Sequence, residues 1–178
     1  MKNLLFMHVT PTCKDLLKAS VVRITLINGT SSFEIRSKPN CSDIVDDNFL
    51  MTEGIHPHKM EQYNDNKLNT AIFKQYLKSA SSYGENKLTI IEEDSPNYTN
   101  LFFKFMTQLG LYEHIPAWIH TAAMPNLKDI YVKKTKNHMP QNYEELAIAL
   151  GQTTRQCWWD GIAKVRRLQQ VYNKLQEL

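Results

Sequence analysis

Hydrophobic and polar positions alternate in short runs over much of the first part of the chain, which predicts β-strands. The runs VVRITLI and SFEIRS lie on either side of Asn28-Gly29, a dipeptide that favours a tight turn between antiparallel strands. We therefore predict a β-hairpin there. The apolar N-terminal run LLFM predicts a short buried strand, and the run NKLTIIEED predicts a further strand.

A period of three to four residues indicates helices in the middle of the chain. A helix is predicted over residues 67–81, with its apolar face at Leu68, Ala71, Ile72 and Tyr76. Ser95 and Pro96 fit the cap and first position of a second helix, and Gly110 fits its end. The apolar face of this second helix consists of Leu101, Phe102, Phe105 and Leu109.

A change in composition near residue 134 predicts the domain organisation. A short helix is expected over residues 115–123, KDIYVKK reads as a strand or the start of a linker, and KKTKNHMPQ is polar and basic. We predict an α+β protein with a mixed domain over residues 1–134, containing the hairpin and several helices. A helical module with a long last helix is predicted over residues 135–178.

Charge is unevenly distributed between these parts. Residues 128–178 contain nine Lys and Arg against five acidic residues, whereas the first 127 residues contain 12 basic and 13 acidic residues. The three cysteines are far apart and form no CxxC pair, which argues against a disulfide framework and against a cysteine zinc site. No run is long enough for a membrane span, so a cytoplasmic location is expected.

The segment NYEELAIALGQTTRQCWWDGIAKVRRL combines the end of one predicted helix with the start of another. Asn142 and Glu145 form a capping-box-like start, and Gly151 can end the helix in a left-handed conformation. Thr153 and Gln156 then form a second capping box. Two short helices joined through a glycine are typical of a helix-turn-helix unit.

On these residues the segment resembles the helix-turn-helix of bacterial and phage transcription regulators, including the fourth region of sigma factors. The resemblance covers about 30 residues, and residues 1–135 match no family that we recognise. It implies sequence-specific binding of double-stranded DNA in transcriptional control, with no enzymatic activity, no catalytic residues, no metal and no cofactor. The implied DNA-binding residues are Thr153, Thr154, Arg155, Trp158, Trp159, Lys164, Arg166 and Arg167.

Two alternatives of other classes stay open at this point. An apolar stripe with heptad-like spacing along the last helix could form a homodimer or dock onto another protein; it consists of Trp158, Ile162, Val165, Leu168, Tyr172 and Leu175. A weaker alternative is a small metal-dependent enzyme centred on His56 and His58, with Glu53 and Glu61 nearby. The acidic run at residues 92–94 follows a strand, where carboxylates could serve a nuclease, although a solvated strand exit explains it more simply.

Overall fold

The fold was analysed in a computed structural model of the chain. The structure describes residues 3–40, 42–81, 87–93, 97–120, 125–152 and 159–178. The strands are β1 (Asn3–Pro11), β2 (Val21–Asn28), β3 (Ser31–Arg36) and β4 (Leu88–Ile91). The α-helices are α1 (Asp47–Thr52), α2 (Asn66–Ala80), α3 (Asn97–Gln108), α4 (Ile115–Trp118), α5 (Leu127–Thr135), α6 (Tyr143–Ala149) and α7 (Gly161–Glu177). Short 3-10 helices cover Pro57–Gln62 and Tyr112–His114.

The four strands form one mixed sheet in the order β3-β2-β1-β4. The predicted hairpin is confirmed, because β2 and β3 pair antiparallel and Gly29 adopts a φ of +59° in the turn between them. β1 pairs antiparallel with β2 and parallel with β4, with Phe6 opposite Ile91 as the last parallel pair. The predicted N-terminal strand is therefore the inner strand that joins the hairpin to β4.

Both faces of the sheet are covered by helices, because successive side chains of β1 point to opposite sides. Leu5, Met7 and Val9 belong to a core that also contains buried residues of α2 and α3. Phe6 points the other way and joins a second core with residues of α5, α6 and α7. The chain is thus a mixed α and β protein with helices on both sides of a central sheet.

The two middle helices confirm the predicted boundaries closely but differ in their buried faces. α3 buries the predicted face, and Gly110 follows it with a φ of +67°; the predicted cap at residues 95–96 lies outside the described residues. α2 also lies where it was predicted. However, Leu68 is 50% exposed, and the residues that pack inward are Phe73 and Leu77. Phe73 and Leu77 follow Ile72 and Tyr76 by one position around the helix, and of the predicted face Tyr76 packs partly against the same core.

Two predictions for residues 115–135 need correction. The helix expected over residues 115–123 ends at Trp118, because Ile119 is extended and forms an isolated bridge to Leu88; residues 121–124 lie outside the described part of the chain. The segment KDIYVKK is neither strand nor linker but lies within α5, whose N-cap Asn126 accepts a hydrogen bond from the Lys128 backbone amide. The division of the chain near residue 134 stays a prediction.

The C-terminal segment confirms one helix and the glycine of the predicted pair. Asn142 caps α6 by accepting from the Glu145 amide, and Gly151 has a φ of +73°. The predicted second start at Thr153 lies outside the described residues. The long last helix is described from Gly161, and Asp160 caps it by accepting from the Ile162 and Ala163 amides.

The apolar stripe of α7 packs against the sheet, not against a second chain. Val165, Leu168 and Leu175 are fully buried in the core that also contains Phe6. The prediction of a homodimer or partner interface through this stripe is therefore wrong, because its main side chains are already covered within the molecule. In the described part of the chain, no helix is long and apolar enough to cross a membrane.

Candidate nucleic-acid site

Polar residues at alternate positions of the strands form two rows across the face of the sheet that α7 covers. In the first row, His8 of β1 is opposite Thr25 of β2, and Thr25 is opposite Glu34 of β3. In the second row, Thr10 is opposite Arg23. His8 and Thr10 follow Phe6 by two and four residues, and Thr25 and Arg23 precede Ile27 by two and four. These four side chains therefore lie on the same face of the sheet as the second core, where they interrupt its apolar surface.

A pocket opens where the first row reaches the carboxyl end of the parallel strands. Its volume is about 180 Å³, and it lies between the ends of β1 and β4 and the first turns of α3 and α7. The carboxyl ends of parallel strands are where open α/β sheets bind their ligands. The pocket, called the site pocket below, is lined by His8, Glu53, Glu93, Tyr98, Tyr143, Glu144, Ala163, Lys164 and Arg167.

His8 forms the floor of the site pocket and is only 3% exposed. Its Nε2 lies 3.7 Å from a carboxylate oxygen of Glu53, and its Nδ1 lies 3.9 Å from one of Glu93. Within the described residues neither nitrogen makes a hydrogen bond, and the ring edge packs against Tyr98 at 5.4 Å. A buried imidazole without a hydrogen-bond partner costs free energy, which a ligand in the pocket would recover.

Glu53 and Lys164 form an ion pair on one wall of the site pocket. The Lys164 ammonium donates to a Glu53 carboxylate oxygen at 2.5 Å, and the two side chains are 12% and 20% exposed. Burial alone raises the pKa of Glu53, but the proximity of His8 and of Lys164 outweighs it and lowers this pKa to about 2. Glu53 is therefore ionised at neutral pH.

Glu93 is the second carboxyl group facing His8, and its environment has the opposite effect. Burial raises the pKa of Glu93 above its usual range, although His8, Lys164 and Arg167 oppose the increase. The two carboxyl groups on either side of the imidazole thus differ in proton affinity. The pKa of Glu53 is lowered, whereas that of Glu93 is raised.

Arg167 forms a second ion pair, one turn along α7 from Lys164. Two of its guanidinium nitrogens donate to the two carboxylate oxygens of Glu144, at 2.8 and 2.9 Å. The guanidinium also lies over the Tyr143 ring, 5.7 Å from its centroid. The hydrogen bonds to Glu144 raise the pKa of Arg167, and burial raises that of the Tyr143 phenol. Two fixed cations therefore face the pocket.

Arg23, which is 1% exposed, holds together the backbone around this site. Its guanidinium donates to the carbonyls of Glu53 and Trp159, each at 3.0 Å, and to the hydroxyl of Thr10 at 3.2 Å. Gly54 permits the close approach of these two segments, since a Cβ at this position would lie 2.3 Å from the Trp159 Cβ. The indole of Trp159 is left 62% exposed beside the Glu53 segment.

The donors in the site pocket do not form a metal site. Glu53, Glu93 and His8 offer oxygen and nitrogen atoms, but the Lys164 ammonium already binds the Glu53 carboxylate. Across the described ranges, no three His, Cys, Asp or Glu side chains converge closely enough to hold a metal ion. The Lys164 ammonium occupies the position next to the ionised Glu53 carboxylate.

The residues predicted to bind DNA are only partly within the described chain. Lys164 and Arg167 line the site pocket, Arg166 is exposed on α7, and Trp159 is exposed beside the pocket. The remaining four, Thr153, Thr154, Arg155 and Trp158, lie outside the described residues. A nucleic-acid role for all eight residues stays a prediction.

The alternative metal site at His56 and His58 is not assembled. The two imidazole centroids are 5.7 Å apart, but the acidic residues expected beside them point elsewhere. Glu61 pairs with Lys38, and Glu53 turns into the site pocket. The hypothesis that these four residues hold a metal is therefore wrong.

Sequence reasoning missed most of the site pocket. Glu93 was singled out as part of an acidic run, and Glu53 only as a neighbour of the histidines. His8 and Arg23 were overlooked. The signal that could have found them is alternation, because His8 and Thr10 are polar at every second position of an otherwise apolar strand, and Arg23 and Thr25 repeat this in the next strand.

Comparison with known proteins gives similarity in fold and not in sequence. No protein-family model matches the chain, and no curated protein matches it in sequence. Several solved structures match over 99% of the chain. They include the nuclease domain of 3'hExo, a DEDDh family member bound to rAMP, with 11% identity over 92% of its length and a TM-score of 0.78.

Two further structures agree with this one. The cell-death related nuclease 4, CRN-4, matches with 10% identity over 64% of its length and a TM-score of 0.72. The zinc-bound form of E. coli ExoI with single-stranded DNA matches with 13% identity over 41% of its length and a TM-score of 0.72. This chain thus spans less than half of E. coli ExoI.

These matches correct three predictions. The resemblance to helix-turn-helix regulators is wrong, because the C-terminal helices form part of a fold that extends over the whole chain and that the nucleases share. The prediction of a transcriptional regulator is overturned by the same finding. So is the prediction that the chain is not an enzyme, since the proteins that share its fold are nucleases. At this level of identity the matches establish the architecture: this chain has the fold of DEDDh-type exonucleases.

Proposed function

We propose that this chain binds the free end of a single-stranded nucleic acid in the site pocket and acts on the strand there. The observation that carries the proposal is the buried set of polar side chains at the carboxyl ends of β1 and β4, in a fold shared with nucleases. Two of those nucleases are described with a nucleoside monophosphate or with single-stranded DNA bound.

The size of the site pocket favours a strand end over a whole nucleotide. A volume of about 180 Å³ is smaller than the roughly 300 Å³ of the smallest pockets that enclose drug-sized molecules. A terminal phosphate or sugar fits this space, while the attached base and the rest of the strand stay outside. The exposed Trp159 indole then offers a ring on which a base can stack.

The charges in the site pocket suit a terminal phosphate or hydroxyl group. Lys164 and Arg167 place an ammonium and a guanidinium at its wall, each paired with a carboxylate, and the two His8 nitrogens offer further hydrogen-bonding positions to a ligand. The fold implies a divalent metal as well, because nucleases commonly use metal ions and the ExoI structure contains zinc. The residues present do not fit such an ion, so no step of the proposed function depends on one.

The proposal is tested by comparing linear and circular single-stranded oligonucleotides of one sequence, as RNA and as DNA. Fluorescence anisotropy should show the linear strand binding about tenfold or more tightly, since only it has an end. Gel electrophoresis of the same samples shows whether the strand is shortened. Equal affinity for linear and circular strands, or no binding, would contradict the proposal.

A pair of variants tests whether binding occurs in the site pocket. Ala163→Phe places a ring inside the pocket, so we expect it to abolish the preference for linear strands. Ala149→Phe makes the same change at an exposed position of α6 and should leave the preference unaltered. Unchanged end preference in Ala163→Phe would place the binding surface elsewhere.

A further inference from the structure

The chain shares its fold with nucleases, one of which contains zinc, but the residues in its site pocket do not form a metal site. This difference suggests how the pocket binds its ligand without a metal ion. Three groups with metal-binding chemistry face one another there, namely the carboxyl groups of Glu53 and Glu93 and the imidazole of His8. The distances between them, 3.7 and 3.9 Å, are too long for hydrogen bonds. Each group faces the same small volume.

His8 is the independent sign that this cluster is built for a ligand. It is 3% exposed, it points into the site pocket, and among the described residues its two nitrogens have no hydrogen-bond partner. The sheet fixes the position of His8 through its pairing with Thr25 of β2. A side chain of this kind is expensive to bury unless something in the pocket completes its hydrogen bonds.

Lys164 provides the positive charge in this cluster. Its ammonium lies 2.5 Å from the Glu53 carboxylate. Its backbone amide donates to Asp160, the residue that caps α7, so the ammonium projects from the first turns of a fixed helix. Because the ammonium is a compact positive charge next to an ionised carboxylate, it neutralises the charge of Glu53 as a bound metal cation would.

We infer that the Lys164 ammonium takes the place of a divalent cation beside Glu53, Glu93 and His8, so that the site pocket binds its ligand without divalent metal. This inference rests on the proposed function for the identity of the ligand, a strand end. The claim about the metal concerns the protein alone. The two therefore can be tested separately.

The first experiment titrates Mn²⁺ into the protein without nucleic acid, using isothermal titration calorimetry and the melting temperature. The wild-type protein should show no specific binding. Lys164→Met removes the ammonium, so the carboxyl groups of Glu53 and Glu93 and the His8 imidazole can draw together around an ion. Mn²⁺ should then bind about a hundredfold or more tightly than to the wild-type protein, because a repelling unit charge a few ångströms away is lost. Lys133→Met, an exposed lysine on α5, is the matched control and should behave as wild type.

Two further variants keep this test decisive if Lys164→Met does not fold. Lys164→Arg retains the charge and should bind no Mn²⁺, whereas Lys164→Gln is polar but neutral and should bind it. Specific Mn²⁺ binding by the wild-type protein that Glu53→Gln abolishes would overturn the inference. Neutral variants that fold but bind no more Mn²⁺ than wild type would also overturn it.

The second experiment measures oligonucleotide binding in EDTA and in Mg²⁺. The inference predicts equal affinity for the linear strand in both conditions. A loss of end binding in EDTA would overturn the metal claim but leave the proposed function intact. Conversely, a protein that binds no strand end in either condition but also binds no Mn²⁺ until Lys164 is neutralised would contradict only the proposed function.

Discussion

The contact between the first turn of α7 and the sheet gives a sharp prediction, because Gly161 leaves no space for a side chain. A Cβ at this position would lie 2.2 Å from the Thr25 hydroxyl oxygen and 2.9 Å from a carboxylate oxygen of Glu34. Thr25 is fully buried, and its hydroxyl donates to Glu34 at 3.0 Å. Gly161→Ala therefore forces the helix away from the sheet.

The size of the effect follows from the distance that is missing. Ordinary contact needs roughly 3.5 Å, so the start of α7 must move by about 1 Å. Inserting a carbon into a packed contact costs about 1–3 kcal/mol, and the higher helix propensity of alanine returns up to about 1 kcal/mol. We expect a net loss of about 1–2 kcal/mol in the free energy of unfolding, or roughly 2–8 °C in Tm for a chain of this size.

Urea denaturation followed by circular dichroism measures this loss. Thr25→Ala removes the nearer of the two oxygens that the new methyl group meets, and the Glu34 carboxylate, having lost this hydrogen bond, can turn away. Gly161→Ala should therefore cost less than about 1 kcal/mol in that background. Arg166→Ala, an exposed change on the same helix, should stay within about 0.5 kcal/mol. A stability for Gly161→Ala equal to or above that of wild type, or an equal cost in both backgrounds, would refute the packing argument.

Three other predictions follow from the same structure. Acidification should destabilise the protein as pH falls from about 4.5 towards 2, because Glu53 stays ionised in the folded state down to a pKa of about 2. Above that range its ionisation contributes up to about 3 kcal/mol to the free energy of unfolding. In Glu53→Gln the urea midpoint should therefore vary less between pH 5 and 3. Leu168→Ala should cost about 2–5 kcal/mol in urea denaturation, and a cost near that of the exposed change Ile148→Ala would contradict the burial of α7. Glu144→Gln should destabilise by about 1–3 kcal/mol by leaving Arg167 without its carboxylate; a thermal shift no larger than for Glu145→Gln would argue against this ion pair.

Local signals in the sequence predicted the elements better than their arrangement. The hairpin, α2, α3 and the cap of α6 depend on residues close together in the chain, such as Asn28-Gly29 and the Asn142 cap, and all were predicted. The helix-turn-helix interpretation used the same kind of local signal. It was wrong because a capped helix followed by glycine carries no information about what the helix packs against.

The site pocket was harder to predict because it depends on strand pairing. Glu93 faces His8 only because β1 and β4 run parallel, with Phe6 opposite Ile91 two residues earlier on each strand. Lys164 was assigned to DNA on account of its charge, and the structure shows that a carboxylate far away in the chain pairs with it. Alternation within the strands could have identified His8 as unusual, but not its neighbours.

The way in which Arg23 joins distant backbone segments has a consequence for how the molecule folds. Its bond to Trp159 spans 136 residues, and the pair of Lys164 with Glu53 spans 111. Contacts between residues so far apart in sequence require large loops to close, and closing them costs conformational entropy. Other contacts offset this cost only after the sheet has formed. We therefore expect the pocket to assemble late in refolding. In a stopped-flow experiment, the fluorescence change to which Trp159 contributes should come later than the circular-dichroism change that reports formation of the sheet.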